Sequence, residues 1–216
     1  MTHSQPPAAR REPSPLVRAL GRAVSSAVAR YPWSWRFLRA PVRRFFDMHA
    51  AGWDERVRPV SPGHLEPLAA ALDRLPASPA RILDIGTGTG AAAIEVATRY
   101  PAAEVVGIDL SAQMVAQAKA RAAESASVRF FVADIADFED KRGFDLIMML
   151  NMPPFFDKVA ALLRPGGFVA SASSYGSRTP FFTPAGLLEH GFGQRGLHTV
   201  ATGQAGPGTY YLARRP

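Results

Sequence analysis

The chain has no cysteine, and only three of its 25 basic residues are lysines. It also has no apolar run of the ~18 residues that a membrane-spanning helix needs. Without cysteine there are no disulfides, no thiolate metal sites and no cysteine nucleophile, which fits a chain that folds in the cytoplasm. The stretch from Met1 to Pro15 lacks the apolar core of a signal peptide. No His, Asp and Glu cluster has metal-ligand spacing, so no metal is expected. The scarcity of lysine goes with abundant Ala, Gly and Pro and reads as coding bias rather than function.

What is present is a globular composition. At 216 residues, 47% hydrophobic and 20% charged, the chain suits one α/β domain with a substantial core plus an appendage. The net charge of +7 is unevenly placed. Residues 1–58 carry eleven Arg against four acids, and the other 158 residues carry fourteen basic and fourteen acidic side chains. The excess therefore sits entirely in an N-terminal arm.

The centre of the chain is Leu83-Asp84-Ile85-Gly86-Thr87-Gly88-Thr89-Gly90. It follows the apolar run 80–83, which reads as a buried parallel strand, and precedes the helical stretch 91–97. Three glycines in a strand-to-helix turn leave bare backbone, where a ligand can lie against the first N–H groups of the helix. Gly86-x-Gly88-x-x-Ala91 also satisfies the dinucleotide fingerprint, which keeps an NAD(P)-dependent oxidoreductase as an alternative. Asp84 argues against it, because a carboxylate there repels a pyrophosphate and attracts an ammonium group.

Asp-x-Gly-x-Gly-x-Gly from Asp84 to Gly90 resembles the first motif of the class I S-adenosylmethionine-dependent methyltransferases. The resemblance implies that Asp84, Gly86, Thr87, Gly88 and Gly90 hold the methionine portion of S-adenosylmethionine. Two further acids support it. Strand 104–109 ends in Asp109, about 20 residues past the loop, the spacing expected of a carboxylate that takes ribose hydroxyls. Ser111 is the better N-cap for the next helix, 112–124, which leaves Asp109 for the ligand. Leu110 and Met114 would flank the adenine or else belong to the core. Strand 128–133 ends at Asp134-Ile135, where the family receives the adenine amino group.

Strand 144–150 delivers Asn151-Met152-Pro153-Pro154-Phe155. This resembles the Asn/Asp-Pro-Pro-Tyr/Phe loop of methyltransferases that act on amide or base nitrogens, interrupted here by Met152. Asn151 is a candidate for cofactor or acceptor contact. A helix 155–163, a turn 164–167, a strand 168–172, a short helix ending at Gly191 and strands 197–202 and 209–214 follow, the last two joined by a hairpin loop at 203–208. The resemblance covers roughly residues 45–216. It implies a Rossmann-like, doubly wound, seven-stranded sheet, mostly parallel with an antiparallel C-terminal hairpin.

The expected organisation is a disordered leader 1–13, a basic aromatic helical arm 14–60 and a cofactor-binding domain 61–216. Ser14-Pro15 starts the first arm helix, with Leu16, Val17, Leu20, Val24, Ala27, Val28 and Tyr31 within about 120° of arc and Pro32 as its stop. Aromatics and arginines then interleave from Trp33 to Phe46. The arm admits three readings: a structural cap, a surface for anionic membrane that would place the protein at the inner membrane face, or a site for single-stranded nucleic acid. Asp47 to Asp54 resembles the segment that precedes the first motif in small-molecule methyltransferases, which makes His49 and Trp53 pocket candidates. The resemblance thus implies methyl transfer to a small, lipophilic or aromatic acceptor, against the alternatives of a non-catalytic cofactor-binding protein or a nucleic-acid methyltransferase. If the acceptor needs a general base, His49, His64, His190, Tyr175 and Tyr210 are available.

Overall fold

The computed structural model describes residues 13–54, 63–122 and 128–216. The expected leader, the end of the arm at 55–60, the start of the domain at 61–62 and the last residues of the 112–124 helix fall outside these wholly or in large part. Seven strands form one sheet: β1 (Arg81–Ile85), β2 (Glu104–Asp109), β3 (Val128–Val132), β4 (Phe144–Leu150), β5 (Leu163–Ser173), β6 (His198–Ala205) and β7 (Gly208–Arg214). Their order is β3-β2-β1-β4-β5-β7-β6. All neighbours are parallel as far as β5, and β7 runs antiparallel to both β5 and β6. Strand order reverses between β1 and β4, and in open α/β sheets ligands bind at such a switch point, beyond the carboxyl ends of the strands.

Because side chains alternate across a strand, each central strand supplies both faces. Leu146 and Met148 of β4 join one core with Ile82, Leu68 and Val96, under the helices α3 (Glu66–Leu72), α4 (Ala91–Arg99) and α5 (Ala112–Arg121). Ile147 and Met149 join the other with Leu83, Val169 and Tyr211, under α6 (Phe156–Leu162) and α7 (Ala185–Gly193). Each such side chain, fully withdrawn from water, contributes about 1.5–3 kcal/mol.

The arm is two helices, α1 (Pro15–Arg30) and α2 (Trp35–His49), joined by a 3₁₀ turn at Pro32–Ser34. The Ser14 hydroxyl accepts from the Val17 N–H at 3.3 Å and so caps α1 as its sequence predicts. Pro41 lies inside α2. An internal proline costs about 3 kcal/mol or more. Trp35, Leu38 and Val42 offset it by packing against the core on one side of the helix.

Only part of the apolar stripe of α1 is buried: Val28 lies in the core and Val24 packs against it. Gly21, Ser25 and Val28 are buried, while Leu16 and Leu20 are exposed. Small residues decide this: a Cβ at Gly21 would lie 2.5 Å from the Pro180 carbonyl oxygen, so the helix approaches the 180 loop along Gly21 and turns its leucines outward. The hairpin also differs from expectation. β6 continues to Ala205 and the turn shrinks to Gly206-Pro207, because Gly203 leaves room for the Tyr210 ring across the pair.

At the amino edge of the sheet, the buried Arg81 guanidinium bonds Glu104, Asp140 and the Gly143 carbonyl and lies over the Phe144 ring at 4.6 Å. Arg129 and Arg142 also pair with Glu104, and Arg164 with Asp145. The Arg81 and Arg142 hydrogen bonds hold the Glu104 carboxyl down at about 2.

Candidate functional site

The glycine loop leaves β1 at the carboxyl edge and is folded by its own backbone. The Gly86 and Thr87 N–H groups both donate to the Ile108 carbonyl, at 2.9 and 3.0 Å, which ties the loop to β2. All three glycines have positive φ, but for different uses. A Cβ at Gly90 would strike Phe130 and Ala118, so this glycine serves helix packing. A Cβ at Gly86 would strike the Met152 side chain, which lies over it. At Gly88 no described residue lies within 4 Å of where a Cβ would be, and this open stretch of backbone can take a ligand.

Asp84 is buried beneath the loop, and its Oδ2 accepts from the Thr87 hydroxyl at 2.7 Å. Burial pushes its carboxyl up to about 7; the nearby Asp109 charge adds to the rise, and hydrogen bonds from Thr87 and the Ala93 backbone oppose it. Asp109 is not left free, as Ser111's capping role suggested. Ser111 does cap α5, accepting from the Met114 N–H at 3.1 Å, but Asp109 also accepts from the backbone N–H groups of Gly88 at 2.9 Å and Ser111 at 2.8 Å. A carboxylate this enclosed needs donors, and the loop supplies them. Burial raises its pKa as well.

The raised Asp84 pKa predicts a pH dependence. In the folded protein this carboxyl keeps its proton up to about pH 7, whereas in the unfolded chain it loses it near pH 4. The folded state therefore binds more protons across this window, and its stability falls as pH rises through it and levels off above pH 7. Urea unfolding of the wild type and of Asp84→Asn at pH 5 and pH 8 is expected to show a drop on the order of a few kcal/mol in the wild type, and a smaller one in the variant. Equal drops in both would place its cause elsewhere.

Asp134 is held by the arm. The Trp35 indole N–H donates to both of its oxygens, at 2.8 and 3.1 Å, Arg39 reaches Oδ2 at 3.4 Å, and the Ala136 N–H donates to Oδ1 at 2.9 Å. Sequence reasoning missed Trp35 and Arg39 as partners of this acid. The one available signal was that an indole N–H in an otherwise apolar helix face needs an acceptor. Three more residues at this edge were also missed. Asp47 accepts from the Ser111 hydroxyl at 2.6 Å. Asp54 accepts from the Thr89 hydroxyl at 2.7 Å and pairs with Arg121, which itself reaches the Thr89 carbonyl, so the end of the glycine loop is clasped from both sides.

The remaining candidates divide between site and core. Ile135 and Met114 are buried, Ile135 in the core itself, and Leu110 packs partly against that core. Asn151 is the sole non-glycine with positive φ among the described residues. Its amide bonds the Ser174 N–H and hydroxyl at 2.8 and 2.9 Å, and Ser174 bonds the His64 carbonyl, so Asn151 fastens the end of β4 to the end of β5. His49 stacks on Phe45 with its Nδ1 2.6 Å from the Phe45 carbonyl, and Trp53 lies edge-on to Phe46. Tyr175 follows β5, with its backbone N–H on Thr179. His190 is exposed on α7. Tyr210 lines a cavity of about 260 Å³ at the carboxyl end of β5, with Ser171, Ser173, Thr183, Leu188 and Tyr211 also on its wall. None of the described residues lining this cavity is charged.

The site thus combines an open glycine backbone, the buried Asp84 carboxyl on one side, the half-buried Asp109 on the other, and Arg121 at the end of the loop already paired with Asp54. It suits a ligand bearing a cationic amino group and hydroxyls, and it disfavours a pyrophosphate. The fit to S-adenosylmethionine is good at Gly88, Asp84 and Asp109, while Asp134 is already engaged.

Comparison with known proteins agrees. The family described as "Methyltransferase domain" matches residues 82–167. The release factor glutamine methyltransferase of Escherichia coli is 34% identical over 96 residues, 44% of this chain and 35% of the relative. The trans-aconitate 2-methyltransferase of Streptomyces avermitilis is 34% identical over 127 residues, 54% of this chain and 45% of the relative. The chain thus spans less than half the length of these relatives. The N-methyltransferase NodS of Bradyrhizobium japonicum, solved with S-adenosylhomocysteine, superimposes with a TM-score of 0.65 at 19% identity, covering 81% of this chain and 98% of NodS.

Proposed function

We propose, from the premise that this chain belongs to the class I S-adenosylmethionine-dependent methyltransferases, that it methylates a small, uncharged, lipophilic or aromatic acceptor. When bound, S-adenosylmethionine supplies a sulfonium methyl group electrophilic enough that the protein's main tasks are alignment and exclusion of water. Asp84 would hold the ammonium group, the backbone at Gly88 would lie beneath the methionine portion, and Asp109 would take the ribose hydroxyls. Asp134 would serve the adenine once Trp35 and Arg39 let go of it. Met152 lies over Gly86 and would help keep water from the loop.

The observation that carries the acceptor class is the uncharged cavity beside β5. Strands stand about 4.8 Å apart, so the near wall of the cavity, on β5, is roughly 10 Å from β1, and its far walls, on β7 and β6, are about 14 and 19 Å away. An acceptor of one or two rings reaches the near wall. A polycarboxylate such as the trans-aconitate named for one relative would find no countercharge among the described residues of the cavity. The amide-nitrogen reading, favoured by the Asn-x-Pro-Pro loop and by the release-factor relative, would need the Asn151 side chain, which Ser174 already occupies.

Two measurements test the reading. Isothermal titration is expected to show micromolar binding of S-adenosylhomocysteine and none of NAD or NADP. Methyl transfer from labelled S-adenosylmethionine is expected to favour phenols and indoles over trans-aconitate. Binding of NAD with no binding of S-adenosylhomocysteine would overturn the cofactor assignment. Turnover of trans-aconitate alone would overturn the acceptor class.

A further inference from the structure

We propose that the N-terminal arm docks the protein on an anionic lipid bilayer. The inference is independent of which acceptor is methylated and rests on the outer surface of α1 and α2.

The first observation is the exposed N-terminal part of the α1 apolar stripe, whose later residues Val24 and Val28 pack on the core. An amphipathic helix normally spends its apolar stripe on the core. Here Gly21, Val24, Ser25 and Val28 make the contact, so Leu16 and Leu20 are left 68% and 59% exposed. The second is the turn into α2, where Tyr31, Trp33 and Phe37 are 56%, 61% and 62% exposed. Their rings form a ladder, with centroids 6.1 Å apart from Tyr31 to Trp33 and 6.3 Å from Trp33 to Phe37. The Arg36 guanidinium lies 4.5 Å from the Phe37 ring centroid and 5.7 Å from that of Trp33. These five apolar side chains are the majority of the large exposed hydrophobics among the described residues, and all are on the arm.

The third observation is charge. Residues 14–46 contain seven arginines and no acidic residue, and of these arginines Arg39 is paired with Asp134 and Asp137 of the domain. A surface of one sign that also shows apolar side chains calls for a partner of opposite sign with an apolar interior, and an anionic bilayer is both. Tryptophan and tyrosine are favoured at the depth where headgroups meet acyl chains, and arginine reaches the phosphates beside them. Single-stranded nucleic acid would account for the arginines and the ring ladder, but not for Leu16 and Leu20, which offer a base no stacking surface. Among the described residues no helix is long and apolar enough to cross a membrane, so the contact is peripheral.

The test is co-sedimentation of the full chain with phosphatidylcholine vesicles, with and without phosphatidylglycerol, at low and high salt, beside retention on poly-uridylate. The wild type is expected to pellet with the anionic vesicles at low salt, and about tenfold less with neutral vesicles or at high salt. Trp33→Ser/Phe37→Ser and Leu16→Ser/Leu20→Ser alter exposed positions, so both are expected to melt like the wild type and to stay in the supernatant. Wild type that remains in the supernatant with anionic lipid at low salt overturns the proposal. So do variants that pellet undiminished, because attraction would then be charge alone, and so does retention on poly-uridylate without vesicle binding, which would make nucleic acid the partner.

Discussion

A Gly88→Val chain is expected to fold and yet to bind S-adenosylhomocysteine at least ~100-fold more weakly than the wild type, a loss of about 2.7 kcal/mol or more. Gly88 has φ +54° and its Cβ position is open, so valine meets no atom of the described residues there. The folded chain carries only the strain of a left-handed β-branched residue, about 1–2 kcal/mol. The branched side chain would stand where the ligand's methionine portion is proposed to lie. Gly90→Val is the contrasting variant. Its side chain would enter the packing of Phe130 and Ala118, so its first effect should be on stability. Circular dichroism, a melting curve and isothermal titration separate the two. A folded Gly88→Val chain with near wild-type affinity would mean that the ligand does not pass over this glycine.

Asp109→Ala is expected to weaken S-adenosylhomocysteine binding by 10²- to 10⁴-fold. Two charge-assisted hydrogen bonds to a ribose are worth about 1.5–3 kcal/mol each, and alanine removes both. The structure adds a second cause, since Asp109 also anchors the Gly88 N–H and the Ser111 N–H, so the loop would lose one of its tethers to β2. Asp109→Asn keeps one acceptor oxygen and should fall between alanine and wild type. Titration calorimetry on the three chains gives the order, and an affinity unchanged in Asp109→Ala would remove this residue from the site.

The domain was legible where one local rule governs each residue. The apolar runs ending in Asp84, Asp109 and Asp134 predict three parallel strands with acids at one edge, and the sheet has them there. Gly86, Gly88 and Gly90 predict a tight strand-to-helix turn, and each has positive φ. What the sequence hid depends on contacts between distant segments. No pattern within residues 14–46 shows that Trp35 will donate to Asp134, 99 positions away, or that Gly21 rather than Leu20 will face the 180 loop. The Asp54, Thr89 and Arg121 clasp spans three separate segments, and its members look like ordinary surface residues until the fold brings them together. Asn151 illustrates the same limit. Its residue type and position fit an acceptor contact, and only the arrival of Ser174 from β5 shows what its amide holds.

The ion-paired amino edge bears on how such a chain can evolve. Arg81, Glu104, Asp140, Asp145 and Arg164 lock the starts of β1, β2, β4 and β5 at the end of the sheet opposite the loops that would meet an acceptor. Fixing the strand starts separately leaves the segments after β4 and β5 able to vary in length and sequence while the strands keep their register. A lineage could then change the acceptor of the proposed reaction through the 151–155 and 174–184 segments together with the α7, β6 and β7 residues that line the cavity. The most destabilising steps would be absorbed by an edge that takes no part in the chemistry.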